Sequence, residues 1–182
     1  MPLNWALLYD TRMNLVQTPR ILRKIFPALT WEMPENGPCL YLTFDDGPTP
    51  GITAEVLNVL NRFHAHATFF CIGRNVERHP EIYRQISDEG HVTGNHTYSH
   101  LKGWFTANRE YYEDIRLAAQ FVVSDLYRPA YGMITPAQMR YLRRFYHIVM
   151  WSIMSYDFHY HTSREKCLNN VIRNGCAGSV IV

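Results

Sequence analysis

Short apolar runs that stop at glycine or proline alternate along this chain with segments whose apolar positions recur every three or four residues. In Leu40-Tyr-Leu-Thr-Phe44, Leu40, Leu42 and Phe44 alternate with Tyr41 and Thr43, which predicts a short, largely buried strand. Gly47, Pro48, Pro50 and Gly51 then force a turn, so Asp45 and Asp46 fall at the strand's carboxyl end. Residues 53–63 carry Val56, Leu57, Val59 and Leu60 at helical spacing, with Thr53 as the expected cap. A second strand is predicted over residues 67–72, closed by Gly73, and a helix over 80–88, stopped by Gly90. A third strand covers 91–95. Helix returns over 106–124, with Tyr112, Ile115, Ala119, Val122 and Val123 expected on its inner side. There follow a strand end at 126–129, a helix over 135–145, a strand over 147–151, a helix over 163–174 and a strand opening at 179–182. Residues 1–38 read as an irregular lead-in with one short helical stretch at 19–26, and residues 39–182 as one domain.

Strand and helix alternating with short turns imply parallel strands joined by helical crossovers, in an open doubly wound α/β sheet or a barrel of the TIM type. Both collect chemistry at the carboxyl ends of their strands. The 182 residues suffice for one sizeable core. A formal charge of +2 gives no argument for nucleic acid. The basic cluster Arg20-Ile-Leu-Arg-Lys24 reads as a solvated helix face. Cys39, Cys71, Cys167 and Cys176 are scattered without Cys-x-x-Cys spacing, and are expected as reduced, mostly buried thiols. Asn4, Asp10 and Arg12 interrupt any apolar secretory region, Met13 offers a second start, and no run reaches the ~20 apolar residues of a membrane span. The default expectation is therefore a cytoplasmic chain without a transmembrane segment.

Burying two adjacent carboxylates needs a compensating cation or proton. Successive strand side chains point opposite ways, so Asp45 and Asp46 can share a site only at an irregular strand end. One carboxylate would then be a metal ligand and the other a base; the plain alternative is Asp-Gly-Pro turn chemistry. Asn95-His-Thr-Tyr-Ser-His100 places two histidines four apart, which on a helical turn would share a face and grip one ion at ~2.0–2.1 Å. His64, His66, His79, His91, His147, His159 and His161 read as surface or structural. Two histidines and one aspartate leave coordination positions open for water and substrate. In Leu126-Tyr-Arg-Pro-Ala-Tyr-Gly132, Arg128 at a strand end would hold a carboxylate in a bidentate pair, and the loop's backbone N–H could face an oxyanion.

Taken in order, Thr-Phe-Asp-Asp-Gly-Pro, His-Thr-Tyr-Ser-His and Arg-Pro-Ala-Tyr-Gly resemble the polysaccharide deacetylases with the NodB homology domain, carbohydrate esterase family 4. The likeness runs from about Cys39 to the end of the chain and implies a distorted (β/α) TIM-like barrel. It implies metal-dependent removal of acetyl groups from N- or O-acetylated carbohydrate, with Asp46, His96 and His100 as ligands of a divalent ion. Zinc is the first expectation, with cobalt, nickel or manganese as alternatives. Asp45 would be the general base toward the attacking water, Arg128 would orient it, and the Tyr131 N–H would help stabilise the oxyanion. Trp151-Ser-Ile-Met-Ser-Tyr-Asp-Phe158 is similar to the family's fourth motif. There Asp157 would tune a catalytic histidine, and Trp151, Phe158 and Tyr131 would contact substrate.

Departures from the pattern are Ala130 for a proline, Met154 for an acid and Phe158 for a tryptophan. The family's last motif, a Leu-x-His that would supply the general acid, has no match before Val182, so the last strand is expected to be truncated. An acetylated glycan or amino sugar is the expected partner, with the oligomeric state open. The alternatives are a non-catalytic carbohydrate-binding relative of the same fold and a metal hydrolase for another bond.

Overall fold

The computed structural model describes residues 15–34 and 37–182; the readings at Asn4, Asp10, Arg12 and Met13 lie outside them. The described residues divide into two compact units, one formed by those up to residue 41 together with 151–182 and one by residues 42–150. The larger unit holds strand β1 (Tyr41–Gly47) from Leu42 on, and strands β2 (Thr68–Cys71), β3 (Val92–Asn95), β4 (Leu126–Tyr127) and β5 (His147–Ile148). They lie side by side in the order β5-β4-β3-β2-β1, and the paired strands are parallel. Helices α2 (Ile52–Arg62), α3 (Gly73–Arg78), α4 (Pro80–Asp88), α5 (Asn108–Ala118) and α6 (Pro136–Leu142) make the crossovers; α1 (Arg20–Ile25) precedes them in the chain. This is the alternation read from the sequence.

The core of this unit forms where Leu57 and Leu60 of α2, Phe69 and Cys71 of β2, Val76 of α3 and Ile86 of α4 meet, with Val122 packed beside them. Several local expectations are corrected. Leu40 is exposed, and the buried position of β1 is Thr43, whose hydroxyl accepts a hydrogen bond from Arg128. Thr53 is not the cap of α2; Gly51 is, at φ 78, and the Thr53 hydroxyl inside the helix accepts from the Thr49 N–H at 2.8 Å. Val59 on that helix is exposed. Gly73 does not simply close a strand but opens α3, where a Cβ would stand 2.8 Å from the Ala118 backbone.

Helix α5 is shorter than predicted and turned by one residue, burying Tyr111, Ile115 and Ala118. The Tyr111 hydroxyl bonds the Tyr127 hydroxyl in the interior, which fixes that phase, while Val123 beyond the helix end is exposed. Helix α6 starts on a reciprocal cap between Thr135 and Gln138.

In the other unit, α7 (Arg164–Asn174) starts at Ser163, whose hydroxyl accepts from the Lys166 N–H, and β6 (Val180–Ile181) lies parallel to Ile153. Gln17 bridges Ile153 and Glu32 bridges Ser179, both antiparallel. Arg23 on α1 pairs with Glu32. All four cysteines are free, but only Cys71 is buried; Cys39 and Cys176 sit in exposed loops. Among the described residues no helix is long and apolar enough to cross a membrane.

Candidate metal centre

The carboxyl ends of β1, β3 and β4 carry the groups that the sequence singled out. At the end of β1 the pairing with β2 slips between Asp45 and Gly47, and Asp46 takes a left-handed φ of 67°. That irregularity turns both carboxylates toward one place, as two neighbouring strand residues otherwise could not. Asn75 of α3 donates to the Asp46 carbonyl at 2.8 Å and holds the bend.

His96 and His100 meet by a different route from the one expected. The segment between them is not a helical turn; Thr97 and His100 adopt φ of 65° and 59°, and the loop doubles back until the two rings lie 5.1 Å apart. Its backbone is tied at both ends. The buried Asn95 accepts from the Thr97 N–H and donates to the Ile115 carbonyl, while one Asp114 oxygen accepts from the Tyr98 and Ser99 N–H groups at 2.8 and 3.1 Å. In the sequence, Glu113-Asp114 on a helix reads as solvated charge. Only the fold brings it under the loop.

His96 Nε2 lies 3.4 Å and His100 Nε2 3.0 Å from the same Asp46 oxygen. The Nδ1 of fully buried His96 is 2.8 Å from the Arg128 carbonyl. A carbonyl can only accept, so Nδ1 carries the proton and Nε2 is left as the ligand atom. Asp46 itself is 61% exposed on its outer side. Burial on its protein side pushes the Asp46 carboxyl up. The hydrogen bonds and charge from His100 and His96 outweigh that, leaving it well below the usual carboxylate range. Among the described residues this is the one group of three or more His, Cys, Asp or Glu side chains close enough to share an ion. Three donors around a tetrahedral ion at ~2.0–2.1 Å stand ~3.4 Å apart, so this donor set could hold a small divalent cation.

Asp45 sits beside this cluster with its second oxygen 4.0 Å from His96 Nε2. Its first oxygen accepts a single hydrogen bond from Arg128, 2.7 Å long, so the expected bidentate pair is not formed. The rest of the fully buried guanidinium reaches Thr43 and the Val149 and Met150 carbonyls and lies over the Phe70 ring. Burial lowers the pKa of Arg128, and the neighbouring Asp45 charge works against that. Burial first, then the Asp45 charge, push the Cys71 thiol up to about 12.

Tyr131 joins the group from the 3-10 turn Ala130–Gly132 after β4, at φ 58°, with its ring 4.5 Å from the His100 ring. Trp151, Asp157 and Phe158 belong to the other unit. There Trp151 is buried and Phe158 is exposed, and Asp157 accepts from the Ser155 hydroxyl and the Phe158 N–H.

Residues 32–147 match the polysaccharide deacetylase family. The chain is 34% identical over 161 residues to a peptidoglycan-N-acetylglucosamine deacetylase of Bacillus cereus, covering 85% of this chain and 76% of the relative. It is 31% identical over 157 residues to a chitooligosaccharide deacetylase of Azorhizobium caulinodans, covering 81% and 74%. A peptidoglycan N-acetylglucosamine deacetylase solved in complex with 4-naphthalen-1-yl-N-oxidanyl-benzamide superposes with a TM-score of 0.77 at 34% identity, over 85% of this chain and 75% of that one.

Proposed function

We propose, on the premise that this chain belongs to the polysaccharide deacetylase family and has its distorted TIM-like α/β fold, that it removes acetyl groups from N-acetylated amino-sugar polymers of the peptidoglycan or chitin type. The observation that carries this reading is the convergence of Asp46, His96 and His100 on one point with arginine-paired Asp45 at its side. The three residues would hold a divalent cation, zinc first. When bound, such an ion supplies Lewis acidity toward an acetyl carbonyl and water.

The chain's own groups divide the remaining work. Asp45 offers the oxygen that Arg128 leaves free, on the side facing His96, as the acceptor for the proton of an attacking water. Arg128 fixes the orientation of that carboxylate and cannot itself take the proton. The Tyr131 N–H is assigned to the developing oxyanion; one such donor is typically worth ~2.7–4 kcal/mol of barrier. The open side of Asp46 admits the substrate.

The test is elemental analysis of the purified protein after zinc is added, beside Asp46→Ala and His100→Ala, joined to acetate release from chitooligosaccharide and peptidoglycan. About one ion per chain, lost in both variants, with acetate release that Asp45→Asn lowers ~10²–10⁴-fold while keeping the ion, is the expected result. A folded chain that takes up no ion overturns the metal site. Full activity in Asp45→Asn overturns the base. An ion without acetate release from either glycan leaves a non-catalytic carbohydrate-binding relative.

A further inference from the structure

The rim of the candidate site carries a cation that the reaction above does not use. Lys102 follows His100 by two residues and is exposed. Its ammonium stands 4.6 Å from the centroid of the Tyr131 ring, and that ring packs against the His100 imidazole at 4.5 Å. The ammonium is therefore no further from the imidazole centre than those two distances laid end to end. An isolated surface lysine normally explores many rotamers, but the quadrupole of an aromatic face attracts a cation held over it and narrows that choice.

The backbone beneath it is also fixed. The Gly103 N–H donates to the Met133 carbonyl at 3.1 Å, and Gln138 donates to the Gly103 carbonyl at 2.8 Å. A Cβ on Gly103 would come within 2.4 Å of the Met133 oxygen, so only glycine lets the loop lie this close. Thr106 donates to the Lys102 carbonyl, and the Trp104 indole donates to the Ile134 carbonyl. Among the described residues no carboxylate lies within ion-pair distance of Lys102. The nearby acids Asp45 and Asp46 are engaged by Arg128 and by the two histidines. A positive charge held over the Tyr131 ring thus overlooks the place where the acetylated sugar would sit, with no carboxylate paired to it among the described residues.

We propose that Lys102 is a specificity-determining residue that favours amino-sugar polymers carrying a carboxylate on, or next to, the sugar that loses its acetyl group, over neutral polymers of the same sugar. This rests on the deacetylase reading. Its chemistry is a rim ion pair, worth a few-fold in affinity and weakened by salt.

Two probes separate the charge from the sugar: N-acetylglucosamine pentamer, which is neutral, and a peptide-free glycan of alternating N-acetylglucosamine and N-acetylmuramic acid, which carries lactyl carboxylates. The readout is the ratio of kcat/KM on the anionic probe to that on the neutral one, at low and high salt, for the native protein, Lys102→Gln, Lys102→Glu and Lys102→Arg. Lys102→Gln is expected to lower the ratio ~2–5-fold, mainly through KM. Lys102→Glu lowers it further, Lys102→Arg restores it, and high salt narrows the differences. A ratio that none of the variants moves overturns the proposal, as does an equal fall on both probes. Equilibrium binding of the two probes by calorimetry is measured in parallel. If neither probe releases acetate, the deacetylase reading fails, and the binding ratio in the same variants still decides the role of Lys102.

Discussion

Arg128 gives the sharpest test of how the site is held. Among the described residues it is the largest fully buried side chain. It donates to Asp45 and Thr43, both at 2.7 Å, and to the carbonyls of Val149 and Met150. Arg128→Met fills most of the space with apolar atoms but leaves the Asp45 carboxylate, only 20% exposed, without its cation. Breaking a buried ion pair from one side costs about 3–5 kcal/mol, and a stranded buried carbonyl about 1–3 kcal/mol. The stranded carboxylate is the larger penalty and the carbonyls can relax toward other donors, so about 3–5 kcal/mol is the expected loss, a large share of a typical 5–15 kcal/mol total. Urea unfolding followed by circular dichroism measures it from midpoint and slope. Placed in an Asp45→Asn background, the same substitution should cost less, by about 0.5–3 kcal/mol, because the stranded charge is gone. Arg128→Lys keeps the charge with fewer donors and should lose about 1–3 kcal/mol, which keeps the cycle measurable if the methionine variant does not fold. A loss below about 1 kcal/mol, or no coupling to Asp45, would refute the reasoning, since packing alone would then explain the buried arginine.

Two further expectations follow from buried titratable groups. At pH 8, iodoacetamide should label Cys39 and Cys176 in the native protein and spare Cys71, whose thiol is pushed up to about 12; peptide mass spectrometry that finds Cys71 labelled as fast as Cys39 would contradict its environment. His91 is buried, its Nδ1 accepts from the Ala67 N–H, and burial first, then the His66 charge, lower its pKa against a smaller opposing pull from Glu89. The unfolded chain therefore takes up the proton first, so this contribution is present above pH ~6.5 and is lost as pH falls, at no more than about 1.4 kcal/mol per pH unit. The stability gap between native protein and His91→Gln in urea should shrink from pH 7.5 to pH 5.5, and an unchanged gap would count against the assignment.

Much of this was legible in the chain because strands ending at Asp45, Cys71 and Asn95 are short apolar runs that stop at polar or glycine positions, and such runs need little context to read. The helix over Pro80–Asp88 agrees with the approximate span set by its proline start and its Gly90 stop. Phase was harder. Tyr111 and Tyr112 are interchangeable by hydropathy, and only the Tyr127 hydroxyl waiting in the interior selects Tyr111. The sequence places Asp45, Asp46, His96, His100, Arg128 and Tyr131 at strand ends, and the fold brings them close together by a geometry that the sequence does not show. A His-x3-His pair suggests a helix, yet the chain brings its rings together through two left-handed residues. The groups that pin this loop, Asn95 and Asp114, leave no local signal, since their donors belong to segments that become adjacent only in the folded state.

Of the six non-glycine residues with left-handed backbone among those described, Asp46, Thr97, His100 and Tyr131 all sit at the candidate site. Side chains there typically cost ~1–3 kcal/mol, a penalty that glycine escapes. A variant library sorted only for heat resistance would therefore be drawn to these four positions and would read each glycine as an improvement. At Thr97 the change would strand the Leu101 N–H, from which the buried hydroxyl now accepts, but it would remove no candidate ligand. At Asp46 and His100 the same gain would delete a carboxylate and an imidazole. An engineering campaign on this protein should freeze those two positions and sort on metal retention alongside melting temperature, or it will select a sturdier fold with an empty centre.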